Sequence, residues 1–252
     1  MSTVDYWWAV CAVVLAYTVF GLTGFGAAMM AMPVLVLVVP LKFAVPMMVL
    51  LDLVATSLVG LRTWRRLSWR DTAQIFPFML IGVGLGATML VHFHSGWLLV
   101  GLGVFIVIIS WRNLRNLGAA FRPLHAGWAA PAGTVGGVFS ALFGTGGPIY
   151  TIYLARRLAD QETFRATISA VIFLSSVVRL LSFVMGGLFL QEGLLPLALW
   201  LLPASLLGVF LGSYSRHRLP VQSIRRFVQV FMLVAGGVVI LRGVILMSPA
   251  GV

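Results

Sequence analysis

Charge is what this chain has least of. Asp, Glu, Lys and Arg make up 9% of its 252 residues, and only 6 residues are acidic. A soluble domain carries about 25% charged residues, so this composition excludes a chain that covers itself against water. With 61% hydrophobic residues and a mean hydropathy of +1.06, the sequence reads as an all-α integral membrane protein. Cysteine is nearly absent too. Cys11 stands alone, which excludes an internal disulfide and a Cys-x-x-Cys relay. No His, Cys, Asp and Glu fall at metal-ligand spacing, so no metal or other cofactor is expected. His92-Phe93-His94 reads as an interfacial pair in a turn. No Gly-x-x-x-x-Gly-Lys-Ser/Thr run is present to bind a nucleotide. Residues Met1 to Trp8 carry neither a basic leader nor a small-residue cleavage site, so no removable signal is expected.

What is present is positive charge, +11 overall. On a soluble protein that value would raise the question of nucleic acid. Here 14 of the 17 Lys and Arg fall in four short groups between apolar runs, which is the positive-inside pattern, and no nucleic-acid partner is expected. The groups are Arg62, Arg65, Arg66 and Arg70; Arg112, Arg115 and Arg122; Arg156, Arg157 and Arg165; and Arg216, Arg218, Arg225 and Arg226. They mark cytoplasmic connections. The turns near 93–95 and 188–193 carry none and face outward. Arg242, near the end of the last span, is expected to snorkel to an interface.

Arg122 and Arg156 then share one side, although an apolar stretch of about 30 residues separates them. That stretch must enter and return, with limbs of about 14–17 residues, too short for a ~30 Å core. The segment 6–39 has the same length and the same internal glycine break. The expected architecture is therefore two inverted-topology repeats. Residues 1–122 hold a re-entrant hairpin (6–39) and spans 43–61, 72–92 and 96–114. Residues 123–252 hold a hairpin (127–155) and spans 165–187, 194–214 and 222–247. Both termini are expected outside. Five crossings per half invert the second half relative to the first. Gly82-x-x-x-Gly86 and Gly208-x-x-x-Gly212 occupy matching places and read as close helix contacts in lipid.

The two breaks carry the chemistry. Residues 21–26 read Gly-Leu-Thr-Gly-Phe-Gly, and residues 144–148 read Gly-Thr-Gly-Gly-Pro. A limb that starts within the bilayer presents unpaired N–H groups and a positive dipole end. Two such limbs aimed at one centre favour a small anion. The candidate substrate-binding residues are Thr23, Gly24, Phe25 and Gly26, with Gly144, Thr145, Gly146 and Gly147. A bulky residue at Gly146 is expected to abolish binding and leave the fold intact. Asp52 and Arg179 are ionisable residues well inside spans from opposite halves, at similar depth. Three readings stand side by side: a structural ion pair, Arg179 contacting an anionic substrate, and Asp52 as a coupling carboxylate.

The glycine motifs at 21–26 and 144–147, Pro33 and Pro148, and the duplicated halves resemble the TauE/SafE family of sulfite exporters. The resemblance covers essentially the whole chain. It implies an inner-membrane transporter, with no enzyme activity, for sulfite or an organosulfonate. The expectation is a secondary transporter, an exporter by type, working by alternating access. An anion channel and an uptake permease for another small organic anion are the alternatives. A membrane enzyme or a structural subunit fits the residues less well. Lipid is the surrounding partner, and a homodimer is one arrangement left open.

Overall fold

A computed structural model describes residues 3–115, 124–215 and 221–247. Arg122, Arg216 and Arg218 lie outside the described residues, as do the expected repeat boundary at 122/123 and the chain ends 1–2 and 248–252.

The described chain is helical. In order, the α-helices are α1 (Thr3–Thr23), α2 (Ala27–Val38), α3 (Leu41–Thr63), α4 (Trp69–His92), α5 (Ser95–Arg115), α6 (Ala129–Phe143), α7 (Gly147–Leu154), α8 (Gln161–Met185), α9 (Leu194–Ser215) and α10 (Val221–Met247). Seven of them, all except α2, α6 and α7, are long and apolar enough to cross a membrane. Their outer surfaces carry Leu199, Phe210, Val234 and Leu241, each about two-thirds exposed, an apolar skin suited to lipid and not to water. Trp7, Trp8 and Trp97 lie exposed toward one end, and Trp69, Trp111 and Trp128 toward the other, a placement suited to two membrane–water interfaces.

The spacing of the breaks differs from an even hairpin. The first break divides its segment into helices of 21 and 12 residues, and the second into 15 and 8. At about 1.5 Å per residue α1 is about 31 Å long, so the first limb is long enough to cross by itself. Thr3, Val4 and Asp5 extend it backwards, and it runs on until glycines take positive φ at Gly24 and Gly26.

Packing follows the glycines. Gly208 and Gly212 of α9 lie against the α1 backbone at Val14, Thr18 and Gly21, while Gly82 and Gly86 of α4 lie against Thr134, Gly137 and Val138 of α6. A methyl at any of the four would press on a main-chain carbonyl. Both pairs run in the same direction. α5 and α10 form a third close pair that no sequence pattern announced, with Gly103 on Gly236 and Gly96 on Gly243, running in opposite directions. Exchanging α1–α5 for α6–α10 maps these contacts onto one another.

Polar contacts gather at the two ends. Arg157 Nε sits 3.0 Å from Asp71 Oδ1, Arg66 Nη1 sits 3.8 Å from Glu162 Oε2, and Leu124 N donates to Arg156 O at 3.2 Å. The chain from Leu124 to Arg156 thus leaves and rejoins the same end of the molecule. At the other end Lys42 Nζ donates to Val91 O at 2.8 Å, and Gln191 Nε2 donates to Lys42 O at 3.0 Å. α3 and α8 are therefore antiparallel neighbours through the centre.

Candidate functional site

The two breaks form by the same local rule. Gly24 N donates to Phe20 O at 2.7 Å, closing the end of α1, and Gly26 at φ 94° turns the chain into α2. Gly144 at φ 71° closes α6 by donating to Ser140 O at 2.8 Å. Pro148 then sits in the first turn of α7, where a missing N–H costs nothing. Residues with a Cβ resist these positive φ values, so glycine is required at the turns.

The breaks touch each other. A Cβ built on Gly147 would lie 3.5 Å from Phe25 Cβ and 3.8 Å from Gly26 N, and one on Gly144 would lie 2.9 Å from Ala28 Cβ. Between them is a small cavity of about 20 Å³. Its walls are Phe20 and residues Gly26 to Met29 from one break, and Ser140, Gly144, Thr145, Gly147, Pro148 and Tyr150 from the other. Asp52 on α3 and Ile172 and Arg179 on α8 complete it.

The polar inventory of this cavity is rich in unpartnered donors. The first bond into α2 runs from Met30 N to Gly26 O at 3.2 Å, so the amides of Ala27, Ala28 and Met29 have no partner within the helix. In α7, Ile149 N and Tyr150 N both donate to Gly146 O, which leaves the Gly147 amide free of the ladder. Arg179 is 1% exposed, and its Nη1 lies 3.6 Å from Asp52 Oδ2. Tyr17 OH donates to Asp52 Oδ1 at 2.8 Å. Arg179 Nε and Nη2, which share one edge of the guanidinium and form a two-pronged fork, have no partner. Thr145 Oγ1 has none either, and the buried Tyr150 hydroxyl stands beside Ser175 without a well-formed bond. A buried donor left unpaired costs about 1–3 kcal/mol. Several at one spot call for an acceptor with multiple oxygens.

Of the residues singled out from sequence, Gly26, Gly144, Thr145, Gly147, Asp52 and Arg179 line the cavity. Thr23, Gly24, Phe25 and Gly146 stand behind it. Thr23 Oγ1 donates to Val19 O and Phe25 O and stitches its own turn. Gly146 corrects an expectation. A Cβ there would sit 2.5 Å from Gly136 O and 2.7 Å from Ser140 Cβ, so a bulky residue at 146 strikes the packing of α6 on α7 before it reaches any ligand. Sequence reasoning missed Tyr17, Phe20, Ser140, Tyr150 and Ile172. The readable signal was there for Tyr150 and Ser140, each about one helical turn from a glycine break, and for Tyr17, whose hydroxyl needs a partner inside an apolar span.

An all-helical bundle with an apolar outer skin and a donor-rich cavity at two touching helix breaks defines a multi-pass membrane protein with a buried polar site. Among the described residues no cluster of His, Cys, Asp and Glu is suited to a metal. The family model described as "Sulfite exporter TauE/SafE" matches residues 9–239, and the chain belongs to this family. It is similar to the "Probable inner membrane transporter protein TsaS" of Comamonas testosteroni, 30% identical over 191 residues that cover 75% of this chain and 80% of that protein. No solved structure matches. The protein is accordingly a membrane transporter of the sulfite exporter type and not an enzyme.

Proposed function

We propose that this protein is a secondary transporter of the inner membrane that binds sulfite or an organosulfonate in the central cavity and exports it by alternating access. One observation carries the reading: two glycine breaks meet around a cavity whose unpartnered groups include the Arg179 fork, the Thr145 hydroxyl and helix-terminal amides. The Arg179 fork suits two oxygens of a sulfite or sulfonate head. The amides at the start of α2 and α7 suit the third, with the helix dipoles favouring its charge. The carboxylate in the cavity wall, Asp52, is already engaged by Tyr17 and Arg179, so it is not free to hold a cation.

The cavity has room for about one water. An anion of four or more heavy atoms enters only when the breaks part, which supports a carrier over a continuously open pore. Residues 1–122 and 123–252 act as the two inverted repeats that move against each other. The antiparallel pairing of α3 with α8 and of α5 with α10 supports that inversion, since corresponding helices then run oppositely. With the arginine-rich end cytoplasmic, both termini face outward.

Thermal unfolding of the purified protein against sulfite, sulfonates, sulfate, carboxylates, amino acids and simple cations tests the assignment. A ligand at a hundredfold its Kd stabilises by about 2.7 kcal/mol. Sulfite or a sulfonate should raise the unfolding temperature. A response confined to amino acids or cations would overturn the anion reading. Ohmic single-channel current would overturn the carrier.

A further inference from the structure

Arg165 shares a face of α8 with Arg179. Residues 165, 169, 172, 176 and 179 recur at helical spacing within an arc of about 80°, over about 21 Å of helix. Ile172 and Arg179 line the cavity, and Ser176 Oγ is buried with no partner. Ser169 Oγ lies 3.5 Å from Gly24 O, at the first break. Arg165 Nη2 donates to Gly21 O at 2.8 Å, yet its Nε is buried and unpartnered. A Cβ on Gly24 would lie 3.7 Å from that Nε. Among the described residues no carboxylate pairs with Arg165. A guanidinium that only capped α1 would need the bond to Gly21 and no buried unpartnered N–H beside it.

We propose that this face of α8 is the path between the arginine-rich end of the protein and the cavity, and that Arg165 is an outer station holding the anion in transit. The proposal rests on the anion-transporter reading above. Arg165 attracts the anion at the mouth of the path, Ser169 offers a hydroxyl on the way, and Arg179 receives it. Asp52 offsets Arg179 and leaves Arg165, which is half-buried, without a carboxylate, so the path keeps a net positive potential, which speeds the arrival of an anion.

The test uses the full chain with sulfite as the probe, measuring equilibrium Kd in purified protein and initial counterflow rate in liposomes. Arg165→Gln should lower the rate about tenfold and flatten its dependence on ionic strength, with Kd changed by no more than about twofold. Arg165→Lys, which keeps the cation, should restore most of the rate. A normal rate in Arg165→Gln overturns the proposal. A Kd that weakens in step with the rate also overturns it, because Arg165 would then act only by shaping the cavity through Gly21. Should Arg165→Gln fail to fold, Ser169→Ala decides: a slowed rate at unchanged Kd supports the path, and an unchanged rate refutes it. Absence of sulfite binding by the unaltered protein would instead sink the parent reading, and the Kd arm reveals that before any variant is compared.

Discussion

Removing charge from the central pair separates its two jobs, holding the fold and holding cargo. Arg179→Gln leaves the Asp52 carboxylate buried with one hydrogen bond, from Tyr17. Deleting one partner of a buried pair costs about 3–5 kcal/mol, so this variant should unfold at a much lower temperature. In Asp52→Asn/Arg179→Gln both charges are gone, and the asparagine oxygen still accepts from Tyr17. Most of the lost stability should return, a coupling of about 2–3 kcal/mol between the two sites. Binding should not return with it. The Arg179 edge supplies two charge-assisted hydrogen bonds worth about 1.5–3 kcal/mol each, so sulfite affinity should fall at least about a hundredfold in Arg179→Gln, and still by about tenfold or more in the double variant, where loss of the Asp52 charge offsets part of the effect. The assay is thermal unfolding of the four proteins with and without sulfite, the ligand-induced shift giving Kd. A double variant that folds well and binds sulfite with unchanged Kd would refute the reasoning. Arg179 would then serve the fold alone.

Other positions test other parts of the account. Gly147→Ala places a methyl at ordinary contact distance from Phe25 and Ile172 while filling the cavity, so the unfolding temperature should hold as sulfite Kd weakens about tenfold or more; unchanged affinity would move the site elsewhere. Gly212→Val drives a side chain into the Thr18 carbonyl and should separate α1 from α9, with loss of monodisperse protein on size exclusion; normal yield and melting would refute the close contact. Asp160 caps α8 by accepting from the Thr163 hydroxyl and N–H at 2.7 and 2.8 Å, and the hydroxyl first, then the amide, holds its carboxyl below the usual carboxylate range. Its stabilisation is present above the ordinary carboxylate pKa and is lost as pH falls through the lowered value. Asp160→Ala should therefore melt below the unaltered protein at neutral pH, with the gap closing only in strong acid; equal melting at neutral pH would exclude the cap.

Helix placement was legible because lipid leaves little choice. Expected spans 72–92, 96–114 and 194–214 correspond to Trp69–His92, Ser95–Arg115 and Leu194–Ser215, since a bilayer demands one unbroken apolar run per crossing. The place where the segment 6–39 divides was legible from its glycines, but the 21-residue length of the first limb was not, because α1 extends back to Thr3 and ends only where glycine φ turns positive, and composition does not report φ. The α5–α10 contact was hidden for a related reason. Gly96, Gly103, Gly236 and Gly243 resemble any scattered glycines until the helices are laid side by side. At the site, charge pointed to Asp52 and Arg179 because ionisable groups are rare in lipid. The tyrosines and serines around them blend into a helix that is apolar on every side, and only packing separates the ones that face the cavity.

Asp52 bears on how an empty carrier returns. With no cargo bound, it offsets the Arg179 charge from 3.6 Å, so the cavity is close to neutral and can cross the low-dielectric middle of the protein. Bound anion competes with that carboxylate for the same guanidinium. Two unit charges about 6 Å apart at an effective dielectric of ~20 repel by about 3 kcal/mol. Asp52→Asn removes this repulsion, so sulfite should bind at least about tenfold tighter. The same change leaves Arg179 bare when the site is empty, and the empty carrier should then return slowly. Sulfite–sulfite exchange in liposomes should persist in Asp52→Asn while net sulfite efflux collapses. If net efflux and Kd both match the unaltered protein, the carboxylate neither competes with cargo nor balances the empty site, and its place beside Arg179 reflects folding alone.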